Sequence, residues 1–373
     1  MSKGGHLTWA EIDVGALRHN YWLLKKKAAG AGLMAVVKAD AYGHGAIEAS
    51  KVFIEEGVSY LAVAFVNEGI ELRDAGIKTP VLVFARPNEE SIGIHLQNSL
   101  DVTVADPDDV MLISEVAKKL SVRPRVHLNI DTGMARLGIP IGIAVETAEM
   151  IAEQELLLFT GIYSHLSSSD SLDQNFTKDQ NDKFIDIIET IKERGINPGL
   201  VHINNSGGLL GTSSNAFDMA RPGIGLYGFH PDPGRQDEEE LMQVMTLKST
   251  VSLLRQIEKG SSVSYGQTWI AKEKTKIATI PIGYADGINR LLSNNMEVLI
   301  KGKRYPVVGN ITMDMIMVDV GNSELEVGDE VVIYGNQESE SIRIADVALK
   351  LKTISYELTC SISNRVPRIY VNK

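Results

Sequence analysis

The feature that most constrains this fold is an alternation of short apolar runs with longer amphipathic stretches, from residue 33 to about residue 230. Such alternation is typical of parallel βαβ units. Eight of the runs could form strands: Leu33–Ala39, Tyr60–Phe65, Val81–Ala85, Leu100–Val104, Arg125–Ile130, Leu157–Ser164, Leu200–Ile203 and Met219–Gly225. Eight units in about 200 residues predict an α/β fold with an N-terminal (β/α)8 barrel.

The stretches between these runs predict helices. They are Gly45–Glu56, Asn67–Ala75, Pro107–Leu120, Ile141–Glu153 and Gln174–Arg194. In the last of them, Phe184, Ile187 and Ile191 recur at helical spacing. A doubly wound open sheet is the alternative topology, and periodicity alone does not exclude it. No Gly-x-Gly-x-x-Gly follows the first apolar run, which weakens a dinucleotide-binding interpretation.

The composition and the hydrophobic pattern of the sequence change after Gly228. His230–Glu240 carries two prolines, a glycine and a run of acidic residues, a composition typical of a linker. Six β-branched, turn-bounded segments follow it: Thr246–Ile257, Thr275–Pro281, Met296–Ile300, Tyr305–Val308, Ile316–Val320 and Glu330–Tyr334. A chain of 373 residues also exceeds one ordinary core. We therefore expect a barrel domain over residues 1–242 and a C-terminal β-rich domain over residues 243–373, whose strands could pair with the first residues of the chain.

Composition narrows the class of function. The net charge of −11, from 37 basic and 48 acidic residues, argues against general binding to nucleic acid or to an anionic membrane surface. Cys360 is the single cysteine, which excludes an intramolecular disulfide and a cysteine-based metal cluster, and we predict no metal site. Apolar runs such as Leu61–Val66 are too short to span a membrane. We expect a cytoplasmic enzyme that acts on a small molecule.

The motif with the most chemical content is Lys-Ala-Asp-Ala-Tyr-Gly-His-Gly, residues 38–45, at the end of the first apolar run. Catalytic groups of (β/α)8 enzymes lie at the carboxyl ends of the strands. A lysine there can act as a nucleophile when desolvation lowers its pKa. The octet resembles the cofactor-lysine motif of alanine racemases, a fold-type III pyridoxal-phosphate family. The shorter element, a strand ending in Lys-Ala, also occurs in related decarboxylases.

Later segments extend this resemblance along most of the chain. It implies that Lys38 binds pyridoxal 5'-phosphate covalently and that Tyr42 contacts its phosphate. The segment of residues 131–138, Asp-Thr-Gly-Met-Ala-Arg-Leu-Gly, is similar to the family's segment after the fifth strand. By that similarity, Arg136 would bind the phenolic oxygen of the cofactor and approach the substrate carboxylate. His165, which ends the sixth run, would lie in a hydrogen-bond network behind the reactive groups.

The seventh and eighth runs indicate where the cofactor is anchored. Barrel phosphate sites use the loops after these strands. The family resemblance assigns the site to Asn205, Ser206, Gly223, Ile224 and, near the C-terminus, Tyr356. Arg221 would face the pyridine nitrogen. A guanidinium keeps its proton, so the ring would stay largely unprotonated and be a weaker electron sink, which suits a racemase.

Racemisation needs proton transfer on both faces of the substrate, and one lysine serves only one of them. The family resemblance assigns the second base to Tyr265, supplied by the other subunit of a homodimer with shared active sites. It also implies that Tyr284 narrows the entrance and that the Met313 amide binds the substrate carboxylate. Lys38 would serve D-alanine and Tyr265 L-alanine, and the D-alanine would supply cell-wall peptidoglycan.

One position departs from the common family pattern. Many members carry a carbamylated lysine two residues before the Asp-Thr-Gly segment, where this chain has Asn129. Because asparagine cannot be carbamylated, we hypothesise that a bound anion such as chloride, or the amide itself, orients Arg136.

Several functions remain open at this point. The nearest alternative is a racemase that prefers serine or accepts several amino acids, because one hydroxyl can be discriminated weakly. The others are a decarboxylase of the same fold type and a catalytically idle cofactor-binding protein. A carbohydrate-acting barrel would need paired carboxylates, for which Asp131 and Asp170 are available.

Overall fold

The structure is a computed structural model that describes residues 7–211, 217–238 and 240–372. In chain order its strands are β1 (Trp9–Asp13), β2 (Gly32–Val36), β3 (Tyr60–Val63), β4 (Val81–Val83), β5 (Asp101–Val104), β6 (Arg125–Asp131), β7 (Ile139–Pro140), β8 (Leu158–Tyr163), β9 (Leu200–His202), β10 (Met219–Ala220), β11 (Met245–Thr250), β12 (Leu253–Ile257), β13 (Ser262–Val263), β14 (Trp269–Ile270), β15 (Thr275–Ile280), β16 (Glu297–Ile300), β17 (Lys303–Pro306), β18 (Ile316–Gly321), β19 (Glu330–Gln337), β20 (Glu340–Ile342) and β21 (Arg368–Val371). The α-helices are α1 (Val14–Lys27), α2 (Lys38–Gly43), α3 (Ala46–Glu55), α4 (Val66–Asp74), α5 (Ile92–Gln97), α6 (Pro107–Leu120), α7 (Ala144–Ala152), α8 (Asn175–Glu193), α9 (Ser206–Leu210), α10 (Ile344–Leu351) and α11 (Ser355–Cys360).

Eight parallel strands form a closed barrel. Their hydrogen-bonded order is β5-β4-β3-β2-β10-β9-β8-β6, and a pairing of β5 with β6 closes the ring. The strands are short and almost wholly buried, as expected where helices cover the outside of a parallel sheet. The predicted (β/α)8 barrel is confirmed, and the open-sheet alternative is excluded for this chain.

The predicted strands and helices of the barrel overlap the observed ones, but their bounds differ: the predicted strand Leu33–Ala39 ends at Val36, and Lys38 already begins α2. The last run, Met219–Gly225, was expected to be a strand throughout, but β10 ends at Ala220. Pro222 has no N–H to donate to a neighbouring strand, and the chain turns into a 3-10 helix at Ile224–Tyr227. The helix α5 was not predicted, because six residues give too little periodicity to recognise.

Helix boundaries follow from local capping. The Asp106 side chain accepts a hydrogen bond from the Asp108 amide at the start of α6, and Pro107 occupies the first turn. At the other end Ser121 adopts the left-handed conformation that terminates many helices. The amphipathic helix α8 buries Phe184, Ile187, Ile188 and Ile191 against the barrel, as their spacing predicted.

The C-terminal part is built on β-sheets, which confirms the predicted β-rich domain. One sheet has the order β17-β16-β19-β11-β1-β21, with β20 beside β19, and a second has the order β12-β15-β18. The predicted strand Thr246–Ile257 is two strands, β11 and β12, separated at residues 251–252. The strand β1 pairs antiparallel with β11 and parallel with β21. None of the helices in the described residues is long and apolar enough to cross a membrane.

Candidate active site

A cavity of about 440 Å³ opens at the carboxyl ends of the barrel strands. Loops and strand ends that follow β2, β3, β4, β6 and β8 enclose it. Its lining residues are Lys38, Ala64, Phe65, Phe84, Ala85, Arg86, Asn129, Ile130, Asp131, Met134, Arg136, Leu137, Tyr163, Ser164 and His165. The cavity therefore brings together three of the residues predicted from the sequence: Lys38, Arg136 and His165.

Lys38 begins an unusual backbone element. The four residues after it, Ala39 to Tyr42, all have φ between 52° and 55° and ψ between 38° and 52°, so α2 contains a turn of left-handed helix. Residues with a Cβ avoid this conformation, which costs roughly 1–2 kcal/mol per residue. Strain of this kind persists only where surrounding contacts impose it, and it is concentrated at functional sites.

Contacts from three other segments hold this turn. The Glu68 carboxylate, in the first turn of α4, accepts hydrogen bonds from the amides of Ala39, Ala64 and Phe65. Arg368 donates through Nε to the Gly43 carbonyl at 2.9 Å. Gly43 has φ +82°, and a Cβ there would overlap the backbone at residue 359. The turn thus fixes Lys38 to both β3 and the C-terminal domain.

The electrostatic surroundings of Lys38 favour a reactive amine. Burial lowers the pKa of Lys38 below the ordinary lysine value, and the Arg136 cation lowers it further, whereas Glu68 and Cys360 oppose the shift. The amine makes no hydrogen bond or ion pair with any described residue. An amine that is partly desolvated, without a carboxylate partner, and placed in a cavity is suited to bond formation with a carbonyl compound.

Arg136 lies on a loop that Asp131 organises. Oδ1 of Asp131 accepts hydrogen bonds from the amides of Gly133, Met134 and Ala135 at 2.9, 2.9 and 3.1 Å. The Asp131 carboxylate is therefore engaged in holding the loop, which argues against Asp131 as one of the paired catalytic carboxylates of a carbohydrate-acting enzyme. The Arg136 guanidinium is exposed and has no hydrogen-bond partner in the described chain. Asn129 donates to the Leu137 carbonyl at 3.3 Å, on the same loop.

Arg221 is buried behind the cavity and links two histidines. Its Nη1 lies 2.7 Å from Nδ1 of His202, and its Nη2 lies 3.2 Å from Nδ1 of His165. The same group donates to the carbonyls of His202, Ser164 and Ile203. Burial lowers the pKa of Arg221 to about 10, so the group is still a cation at neutral pH. Burial and the charges of Arg221, Arg136 and Lys38 hold the pKa of His165 well below its usual value.

A second cluster surrounds the N-terminal end of the short helix α9. Asn205 caps α9 by accepting from the Gly208 amide, and it also donates to the Leu166 carbonyl. The Ser206 hydroxyl accepts hydrogen bonds from the amides of Gly223 and Gly225 at 2.9 and 3.1 Å. Because the Ser206 oxygen is the acceptor in both bonds, its hydroxyl hydrogen can be donated to another group. The Asn205 side chain is occupied by structural contacts, which indicates a positioning role rather than direct binding.

Three tyrosines complete this cluster. The ring centroid of Tyr42 lies 5.1 Å from that of Tyr227 and 5.7 Å from that of Tyr356. A Cβ built on Gly223 would lie 2.9 Å from Cζ of Tyr42 and closer still to its hydroxyl. Burial raises the pKa of both Tyr42 and Tyr356, so both hydroxyls keep their protons. The structure thus brings Tyr42, Ser206, Gly223 and Tyr356 together on one side of the barrel mouth.

The remaining predicted residues lie outside this cavity. The C-terminal domain exposes 74% of Tyr265, 52% of Met313 and 43% of Tyr284, and none of them lines the cavity. They do lie on connected segments. The Tyr284 amide donates to the Thr312 carbonyl, and the Asn310 side chain donates to the carbonyl of Tyr265. We call these three exposed residues, on hydrogen-bonded segments, the tyrosine face.

The structure also identifies residues that the sequence did not single out. His202 contacts Arg221, but it lies within an apolar run in which a histidine gives no signal of its own. Glu68 lies 30 residues after Lys38, in a helix where an acidic residue is unremarkable. Tyr163 packs against the Arg221 guanidinium at 5.1 Å and against the His202 ring. Only the closed barrel brings these side chains to one place.

Comparisons with known proteins agree with this geometry. A family model described as the N-terminal domain of alanine racemase matches residues 12–231, and one for the C-terminal domain matches residues 244–370. The chain is 41% identical to alanine racemase 2 of Caldanaerobacter subterraneus, over 98% of this chain and 95% of that protein.

Two solved structures are similar over almost the whole chain. The alanine racemase of Clostridium difficile 630 has a TM-score of 0.94 and 37% identity, covering 99% of this chain and 97% of that one. The alanine racemase of Bacillus anthracis, determined with bound L-Ala-P, has a TM-score of 0.93 and 33% identity, covering 100% and 97%.

Proposed function

This chain belongs to the alanine racemase family, and we propose that Lys38 and Tyr265 are the two bases of its reaction. The reaction is the interconversion of L-alanine and D-alanine, so the chain is an isomerase. The observation that carries the proposal is the Lys38 amine. It lies two residues after the end of the barrel strand β2, lines the cavity, has a lowered pKa and has no partner among the described residues.

The family consists of pyridoxal-phosphate enzymes, and the residues present here fit that cofactor. A phosphate needs several donors around a small space. The Tyr42, Ser206 and Tyr356 hydroxyls lie near Gly223, where a side chain would fill the space. The amide of Ile224 makes no hydrogen bond within the described part of the chain. When bound, the cofactor supplies an electron-withdrawing ring system that makes loss of the substrate α-proton accessible.

The other residues would orient the cofactor and substrate. Arg221 is the candidate for the ring nitrogen, because a buried guanidinium can donate a hydrogen bond but does not readily give up its proton. Arg136 is the candidate for the phenolic oxygen and the substrate carboxylate, because its guanidinium has no other partner in the described residues. The backbone amide of Met313 would hold the same carboxylate, and Tyr284 would narrow the entrance.

We place the second base on a partner subunit of a homodimer. Racemisation needs proton donors on opposite faces of the α-carbon. Lys38 would hold and return the proton on the face used by D-alanine, and Tyr265 would do so for L-alanine. The exposure of Tyr265, Tyr284 and Met313 on the tyrosine face supports this arrangement, since a second copy of the chain could present them to the cavity.

The reaction is tested by incubating the purified protein and pyridoxal phosphate with L-alanine, and with L-serine in parallel, and resolving the enantiomers by chiral chromatography. We expect approach to equal L- and D-alanine, faster than with serine. Faster inversion of serine than of alanine would identify serine as the preferred substrate. Release of carbon dioxide would indicate a decarboxylase. Binding without inversion of either amino acid would leave a cofactor-binding protein.

The shared site is tested by mixing two inactive variants, Lys38→Ala and Tyr265→Phe. If each site takes its lysine and tyrosine from different subunits, a hybrid dimer contains one intact site. Random exchange of subunits then restores about a quarter of the wild-type activity. If both bases came from the same subunit, the mixture would stay inactive. A cytoplasmic location, the division at residues 242 and 243, and the use of the D-alanine in peptidoglycan stay predictions.

A further inference from the structure

A row of buried polar side chains crosses the interior of the barrel beneath the active site. Asp101, His127, His202 and Arg221 are each 2% exposed or less. Barrel interiors are usually filled by branched aliphatic side chains, and buried polar groups need partners. Asp101 is the first residue of β5, and His202 is the last residue of β9. The row therefore runs from the amino ends of the strands to the carboxyl ends, where the cavity lies.

The upper end of the row fixes the position of the protons. A guanidinium can only donate hydrogen bonds, so Nδ1 of His202, 2.7 Å from Nη1 of Arg221, must be an acceptor. Burial and the charges of Arg221 and His127 hold the pKa of His202 well below its usual value, so this imidazole is neutral. Its single proton is then on Nε2. That nitrogen lies 3.2 Å from Nδ1 of His127, which must accept in turn.

The lower end imposes the same direction. With Nδ1 of His127 as an acceptor, the proton of that ring is on Nε2. This nitrogen is buried, makes no hydrogen bond with the described residues, and lies 3.5 Å from Oδ2 of Asp101. Burial alone would raise the pKa of Asp101, but His127 and Arg125 lower it, so the group is a carboxylate that can only accept.

The carboxylate itself is held in place from outside the row. Arg125 approaches Oδ1 of Asp101 at 2.7 Å, and the Tyr60 hydroxyl donates to Oδ2 at 2.8 Å. Arg221, at the other end, has no carboxylate within ion-pair distance in the described chain. A buried cation without compensation is unfavourable, whereas hydrogen bonds that lead from the cation toward a carboxylate polarise favourably.

We propose that Asp101 is a positioning residue, which acts through His127 and His202 to hold the Arg221 guanidinium in its orientation toward the cofactor. This inference rests on the proposed role of Arg221 at the ring nitrogen. The proton order itself, from Arg221 to Asp101, does not depend on that role. The carboxylate at the floor of the barrel thus favours, from its end of the row, the same tautomers of His127 and His202 that Arg221 requires from the other end, and so keeps Nδ1 of His202 as the acceptor that orients the guanidinium.

Asp101→Asn is the informative substitution, because it keeps the shape of the side chain and removes its charge. An amide nitrogen facing His127 would donate a hydrogen bond, which reverses the tautomers of both histidines. Nδ1 of His202 would then carry a proton directed at Arg221. An asparagine in place of an orienting carboxylate is known to invert a histidine tautomer in serine proteases.

The control is Tyr60→Phe. It removes a hydrogen bond to the same carboxylate oxygen but leaves the charge, so the proton order should persist. His127→Phe is a second way to interrupt the row. It removes the acceptor for His202 without touching Asp101, and it carries the test if Asp101→Asn does not fold.

The first readout is long-range ¹H–¹⁵N spectroscopy of the holoenzyme labelled in histidine, which reports the protonated nitrogen of each ring. We expect Nε2–H for His127 and His202 in the wild type and in Tyr60→Phe, and Nδ1–H in Asp101→Asn. A proton on Nδ1 of His202 in the wild type overturns the proposal. So does an Asp101→Asn variant that keeps the wild-type tautomers.

The second readout is steady-state kinetics with L-alanine. Loss of one link in this charge-terminated row predicts a fall in kcat of about tenfold to a hundredfold in Asp101→Asn and His127→Phe. KM should stay within about twofold, because the substrate contacts are intact. Equal kcat in Asp101→Asn, Tyr60→Phe and wild type overturns the positioning role. If the wild-type protein inverts no amino acid but shows Nε2–H for both His127 and His202, the proposed function is wrong and the proton order from Arg221 to Asp101 is supported.

Discussion

The substitution Gly223→Ala tests the assignment of the phosphate site. A Cβ at this position would lie 2.9 Å from Cζ of Tyr42 and nearer to its hydroxyl oxygen, where ordinary contact begins at 3.4 Å. The Tyr42 ring cannot easily move, because it is buried between Tyr227 and Tyr356. Overpacking of this kind costs about 1–3 kcal/mol.

If the phosphate binds here, that cost appears as weaker cofactor binding. At about 1.4 kcal/mol for each factor of ten, the Kd of pyridoxal phosphate should rise roughly 5- to 150-fold. The assay is an absorbance titration of the apoprotein with pyridoxal phosphate, and in parallel with pyridoxal, which has no phosphate. We expect the variant to lose most of the preference for the phosphorylated form.

Gly142→Ala is the matched control, because a Cβ there meets no atom within 4 Å. It should bind both compounds as the wild type does. A Gly223→Ala protein that folds normally and binds pyridoxal phosphate within about twofold of the wild type would refute the assignment of Tyr42 and Gly223 to the phosphate.

Three further outcomes are expected. Tyr265→Phe should lower racemisation about 100-fold or more while leaving the thermal midpoint unchanged, because the side chain is exposed; an active variant would remove Tyr265 as a base. Burial lowers the pKa of His44 to about 4, so the stability that this neutral ring contributes is complete above about pH 6.5 and lost as the pH falls through 4. His44→Gln should therefore show a smaller decrease in thermal midpoint between about pH 7 and pH 4 than the wild type, and an equal decrease would contradict that pKa. Glu68→Gln should cost about 1–3 kcal/mol of stability, since its amide nitrogen replaces one of the two oxygens that share the three backbone donors and cannot accept from them; a melting curve equal to that of the wild type would show that the left-handed turn does not need the carboxylate.

The barrel could be predicted because its strands and helices are specified locally. Apolar runs such as Val81–Ala85 are buried in the barrel, and the helix Pro107–Leu120 has both a cap and an apolar face. Pro222 ended a predicted strand early, since one residue without an N–H outweighs a favourable apolar pattern. The helices α10 and α11 were not predicted, because most segments of the C-terminal region are rich in β-branched residues and favoured strands.

The site was less accessible to sequence reasoning. The octet at residues 38–45 identified Lys38 by resemblance, but nothing in Ala-Asp-Ala-Tyr indicates four consecutive left-handed residues. That conformation is imposed by Glu68 and Arg368, which are distant in the chain. The pairing of His127 with His202 depends on two strands, β6 and β9, that are brought close on either side of β8, and burial of a histidine cannot be recognised from its neighbours. The roles of Tyr265, Tyr284 and Met313 stay predictions, because they concern contacts between two copies of the chain.

The position of β1 has a consequence for the order in which the protein is assembled during synthesis. Glu11 lies opposite Thr246 on one side and Ile369 on the other, so β1 has neighbours that are separated from it by most of the described chain. The barrel strands, in contrast, pair mainly with strands nearby in the sequence. Closing such long loops is entropically unfavourable and slow. During synthesis, the barrel strands can therefore pair before β21 has been made. The strand β1 can complete its pairing only after β21 has left the ribosome.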